Sequence, residues 1–154
     1  MTEAAPGGVE SSSGGGGRRR QARVAALRAL YRAEVVGDPL AEVAADVARD
    51  ESLPPEVREY AARLAGLVAE HGARIDEILR GALLRWELKR VAVLDRCVLR
   101  IATAELLFEP GIPTEVVLDE AIEIAKRFGA AESGRFVNGV LDRVARENRP
   151  RGSA

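Results

Sequence analysis

A disulfide framework needs cysteines in pairs, and this 154-residue chain has a single one, Cys97. No secretory apolar segment opens it either, so the expected compartment is a reducing cytoplasm. Histidine is equally scarce, with His71 alone. One thiol and one imidazole leave little for a zinc cluster or a Cys–His catalytic pair. Aromatic side chains make up 4% of the chain, too few for the base-stacking sheet of many single-strand-binding domains. No apolar run is free enough of charge to span a membrane. There is no glycine-rich phosphate loop, and no stretch alternates apolar and polar residues as a strand does. The expectation is an all-α chain of one domain, with no catalytic residue, no metal and no cofactor.

What the sequence has is helical periodicity. The stretch Val91–Phe108, VAVLDRCVLRIATAELLF, is apolar almost all round a helix except for a narrow stripe of Arg96, Arg100 and Thr103. Such a helix needs neighbours on several sides and is predicted to be the central rod of a bundle. Cys97 falls on one of its apolar faces and reads as a small buried hydrophobe. Two acids interrupt those faces. Glu105 reads as a core carboxylate paired with an arginine, and Asp95 as either such a pair or a partner contact.

Around the rod the spacing predicts about seven helices. The first starts near Arg19 and runs to Val36, with Val24, Leu27, Tyr31 and Val35 on one face and a row of alanines opposite. Asp38-Pro39 is expected to cap a short second helix through Val47. The third runs from Val57 to Gly72 with His71 in its last turn, where a cation suits the helix dipole. The fourth carries Ile75 to Leu83, and the rod is the fifth. A Pro-Gly break follows, after which Thr114 is expected to cap the sixth helix and Gly129 to close it. Ser133 is expected to cap the seventh. Residues 1–17, with the run SSSGGGG, read as a disordered leader, 18–148 as the helical domain, and 149–154 as a frayed tail.

The net charge of −1 names no partner, but its distribution is uneven. Between residues 18 and 36, Arg18, Arg19, Arg20, Arg23, Arg28 and Arg32 face one acid, Glu34, while the rest of the chain is mildly acidic. A basic segment on an acidic body is a footprint for a polyanion. Guanidinium groups bind phosphate with two prongs and stack on bases, so Arg18, Arg19, Arg20 and Arg23 are candidate RNA contacts. The competing reading is a solubilising helix start. On the last helix, Arg135 and Asn138 flank Phe136 and adjoin Gly139, which would admit either a phosphate or another helix. Tyr31 reads as core packing or as the edge of a protein interface.

Three runs together resemble the NusB family of bacterial transcription antitermination factors. They are RRRQARVAALRALY (Arg18–Tyr31), LDRCVLRIATAELLF (Leu94–Phe108) and IPTEVVLDEAIEIAKRFGAAESGRFVNGVLDRVARE (Ile112–Glu147). The resemblance implies two packed helical bundles. It also implies binding to boxA-type single-stranded RNA of ribosomal RNA operons together with NusE, a small-subunit ribosomal protein, within the transcribing RNA polymerase complex. Carried onto this chain, it assigns Arg19, Arg20 and Arg23 to the RNA arm, and Arg135, Phe136 and Asn138 to the RNA path. Tyr31, with Val35 beside it, and Asp95 face the protein partner, and a homodimer covering that surface is compatible with the family. The arm has one residue more than the usual spacing, and Ala104 stands where the family often has tyrosine. With about four phosphates contacted, RNA affinity is expected to fall with salt at a log–log slope of roughly −3.

Overall fold

The structure, a computed structural model, describes residues 15–149. The described chain forms six α-helices: α1 Gly15–Val36, α2 Leu40–Ala48, α3 Pro55–Ala82, α4 Val93–Phe108, α5 Thr114–Phe128 and α6 Ser133–Asn148, with a 3-10 turn at Leu88–Arg90 before α4. The count falls from seven to six because the expected third and fourth helices are one. His71, at φ −112° and ψ 22°, leaves the helical region for a single residue and the chain resumes. This is a kink and not a terminus. The His71 ring stacks on Phe108 with centroids 4.2 Å apart, which gives the bend a packing partner.

Other boundaries shift for equally local reasons. The first helix begins at Gly15, ahead of Arg19; residues 1–14 of the expected leader and 150–154 of the expected tail lie outside the described residues. Neither Asp38, Thr114 nor Ser133 caps a helix. The residues preceding α2, α3 and α5 are Pro39, Pro54 and Pro113, each in an extended conformation. Proline presets φ for the chain entering each helix, and its carbonyl accepts the first helical N–H, from Val43, Arg58 and Val117 respectively, with no side-chain cap. Ser133 lies inside α6, and its Oγ accepts from the Ala130 N–H at 2.9 Å. At the other end of α1, Gly37 adopts φ +92° while its N–H bonds Ala33 O at 2.9 Å, a left-handed closure that glycine makes without strain.

Helices α1–α3 pack on one another, as do α4–α6, and α4 joins the two groups by lying against α1, α3, α5 and α6. Ten of its 16 residues are buried, among them Val98, Leu99, Ile101 and Leu106. Leu64, Ile75 and Leu79 of α3 and Leu141 of α6 complete the fully buried centre. Truncating any of these leucines to alanine would cost about 2–5 kcal/mol through lost transfer energy and cavity formation. The polar stripe of the rod is not turned to solvent. Arg96 pairs with Glu34 of α1, and Arg100 donates to Asp76 of α3 at 2.9 and 3.1 Å and lies 3.4 Å from Glu34. The hydrogen bond from Arg96 holds the Glu34 carboxyl below its ordinary range.

Of the expected tail only Arg149 is described, and it is tied down. Arg149, just past α6, donates to the carbonyls of Leu106, Ile112, Glu105 and Glu109, and to Thr114 Oγ1. One of those acceptors, the Leu106 carbonyl near the carboxyl end of α4, has no helical donor because Pro110 stands four residues on.

Candidate nucleic-acid interface

The basic run of α1 divides in two when the helix is laid on the body. Arg18, Arg19 and Arg20 are on the exposed side. Arg18 pairs with Glu56 of α3. The Arg19 guanidinium lies over the Tyr60 ring, 4.3 Å from its centroid, a cation–π contact that keeps the group flat against α3. Arg20 donates through Nε and Nη2 to the two carboxylate oxygens of Glu120 on α5, each at 2.8 Å. That bond raises the affinity of Arg20 for its proton and lowers the pKa of Glu120.

Arg23 is not part of this exposed set. One turn further on, it faces the interior, 4% exposed, and its Nε donates to Glu105 of α4 at 2.9 and 3.0 Å. Glu105 is 1% exposed and also accepts from the Tyr60 hydroxyl. The expectation that Arg23 reaches RNA is corrected here, because a guanidinium so placed is committed to a buried ion pair. The reading of Glu105 as a paired core carboxylate matches the structure, and Arg23 is its arginine. Burial, then the neighbouring negative charge of Glu105, raises the Tyr60 pKa. That Tyr60 underlies the arm follows only once α1 and α3 are placed side by side.

The second candidate group is on α6. Arg135 and Asn138 are exposed, and Phe136 is half-buried with its ring edge-on to Trp86 at 6.5 Å. A cleft of about 240 Å³ opens beside this pair, walled by Trp86, Val91, Asp95, Ser133 and Phe136. Asp95 is 8% exposed, and its Oδ1 has no hydrogen-bond partner among the described residues. Of the two readings given for Asp95, the structural pair is not formed: no arginine pairs with it among the described residues. No other helix crosses at Gly139, since nothing lies within 4 Å of where a Cβ would stand; the tight glycine of α6 is Gly134, packed on the Lys126 side chain of α5. No hydrogen bond or ion pair joins Arg18–Arg20 to Arg135 or Asn138 among the described residues.

Tyr31 and Val35, together with Val36, form an exposed apolar end of α1. Tyr31 lines a shallow hollow with Val24, Leu27, Leu94 and Phe128. Leu94 and Asp95 are consecutive on α4, so one turn of that helix serves two different hollows.

Nothing in this arrangement resembles a reacting centre. Cys97 is buried, and burial pushes its thiol up to about 11. Among the described residues no cluster of three metal-binding side chains occurs, and no helix is long and apolar enough to cross a membrane.

Comparison with known proteins agrees with this geometry. The NusB family model matches residues 20–146. The transcription antitermination protein NusB of Sorangium cellulosum is 47% identical over 123 residues, covering 80% of this chain and 88% of the relative. Among solved structures, T. maritima NusB superposes with a TM-score of 0.80 at 44% identity, over 88% of this chain and 95% of that one. The NusB of a complex of antitermination factors NusB and NusE with dsRNA superposes with a TM-score of 0.75 at 27% identity, over 84% and 97%. The chain belongs to the NusB family.

Proposed function

We propose that this protein is a cytoplasmic transcription antitermination factor that binds boxA-type RNA of ribosomal RNA operons together with the small-subunit ribosomal protein NusE. It acts by binding and not by catalysis. The observation that carries the reading is the family match over residues 20–146, which includes Arg20 and Arg23 of the first helix and the Arg135–Asn138 segment of α6. A solved relative in complex with NusE and dsRNA supports the choice of partners.

In this reading Arg18, Arg19 and Arg20 supply phosphate contacts, with Arg135, Phe136 and Asn138 extending the RNA path. Tyr31, Val35 and Asp95 are assigned to the protein partner. Arg23 holds the arm's base in place from inside. With three exposed arginines in the arm, the expected salt slope for single-stranded RNA becomes about −2.

Fluorescence anisotropy with a boxA-type oligoribonucleotide, a scrambled strand and a duplex, each with and without purified NusE, tests it. Binding that favours the boxA strand and tightens with NusE is expected. Replacing Arg18, Arg19 and Arg20 together with alanine should abolish most RNA binding while NusE binding survives. Equal binding to all three RNAs in both conditions would leave a helical protein–protein module and overturn the RNA reading.

A further inference from the structure

The arginines of the arm are already engaged. Arg18 pairs with Glu56, and Arg20 is gripped by both oxygens of Glu120. A carboxylate presents two coplanar acceptors to the guanidinium fork, which is the same pattern that the non-bridging oxygens of a phosphodiester offer. Arg20 cannot serve both at once through Nε and Nη2. Resting on the RNA-binding reading above, we propose that Glu120, seconded by Glu56, is an internal stand-in for phosphate that RNA must displace from the arm, and so sets its affinity.

The surroundings of Glu120 suit an exchange. It lies 3.8 Å from Arg23 Nη1, so a positive charge remains beside it when Arg20 leaves. Arg23 cannot follow Arg20 outward because Glu105 and the core hold it. The four groups Arg20, Arg23, Glu105 and Glu120 balance to zero net charge before the exchange. Once Arg20 has moved to RNA, two carboxylates share one guanidinium, and the surface below the strand gains a negative charge. Glutamine at position 120 would remove both the competition and that charge while keeping the side chain's size. The half-exposed Arg20 and largely covered Glu120 (46% and 18% of their side chains exposed) place the pair where solvent weakens it enough to be displaced.

The test uses the full chain and a fluorescein-labelled boxA-type oligoribonucleotide at about 0.1 M salt, where charges are screened beyond ~10 Å. Glu120→Gln should tighten binding about three- to fivefold, the scale of one weakly screened pair. Glu115→Gln, which removes an exposed acid of the same helix that forms no ion pair among the described residues, should give a clearly smaller gain. In an Arg20→Ala background the gain from Glu120→Gln should shrink to that control level. Unchanged or weaker binding by Glu120→Gln, or an equal gain without Arg20, overturns the proposal. NMR of wild-type arginine side chains provides a second reading that needs no variant to fold. On titration with RNA the Arg20 Nε–H resonance should move while that of Arg23 stays; a stationary Arg20 signal on RNA-saturated protein overturns the exchange alone. Absence of any RNA binding by the wild type overturns the exchange together with the function on which it rests.

Discussion

Arg20 and Arg23 lie three residues apart on one helix and approach the same carboxylate, Glu120, yet one is 46% exposed and the other 5%. The difference separates two uses of one residue type. An exposed pair is screened by water and costs little to open. A buried one has already lost its hydration, so removing either partner strands a charge in the core. In α1 the outer turn is therefore held by a pair that opens at little cost, while the next turn is fixed to α4 through Glu105 and to α3 through Tyr60. Four arginines that look alike as text form an exposed surface at one end and an internal anchor at the other.

The largest effect should come from the anchor. Glu105→Ala leaves the buried Arg23 without its hydrogen-bonded carboxylate, with only Glu120 at 3.8 Å beside it, and should cost about 3–5 kcal/mol of stability by urea unfolding. Replacing both partners together, Arg23→Met with Glu105→Leu, should recover most of that loss. A Glu105→Ala variant as stable as wild type would erase the distinction drawn between the two turns.

Arg149 is an intermediate case, partly covered and bonded to neutral carbonyls and not to a carboxylate. Arg149→Ala should lower stability by about 1–3 kcal/mol, because the Leu106 carbonyl loses a donor that no backbone N–H replaces. A change within measurement error would show that water replaces the guanidinium there at no cost.

The smallest stability effect is expected for Arg20→Ala, at most about 1 kcal/mol near neutral pH. Its sign with pH is specific. The hydrogen bond from Arg20 depresses the pKa of Glu120 below the ordinary 4.5. The pair therefore contributes its full stability above about pH 4.5, and that contribution is lost as pH falls through the depressed value. Wild type and Arg20→Ala should differ near neutrality and converge in acid. A difference that grows as pH falls would contradict the pairing.

Much of this molecule was legible in its residues. The apolar circumference of Val91–Phe108 makes a central helix unavoidable, since no single neighbour could cover it. Glu105 could be read as a paired core acid because a lone carboxylate on that face would be too costly to bury. The basic character of α1 was visible in composition. The kink at His71 was not, because Ile75, Ile78 and Leu79 continue a helical pattern that reads equally well as a new helix. The proline starts of α2, α3 and α5 were half-visible, with the neighbouring Asp38 and Thr114 drawing the assignment of the cap. Arg149 was missed since its role depends on carbonyls some 40 residues earlier in the chain.

By itself, then, the sequence determined an all-α chain, its central rod, the acid buried in that rod and the charge of the first helix. These follow from local periodicity and from the cost of leaving apolar or charged groups in the wrong solvent. Tertiary structure alone decided which arginine meets which acid. Arg20 to Glu120 and Arg23 to Glu105 are separated by 100 and 82 residues, and no local rule reaches that far. Helix packing sets the depth of each guanidinium, and depth decides whether its charge is free to bind a ligand or bound to hold the fold.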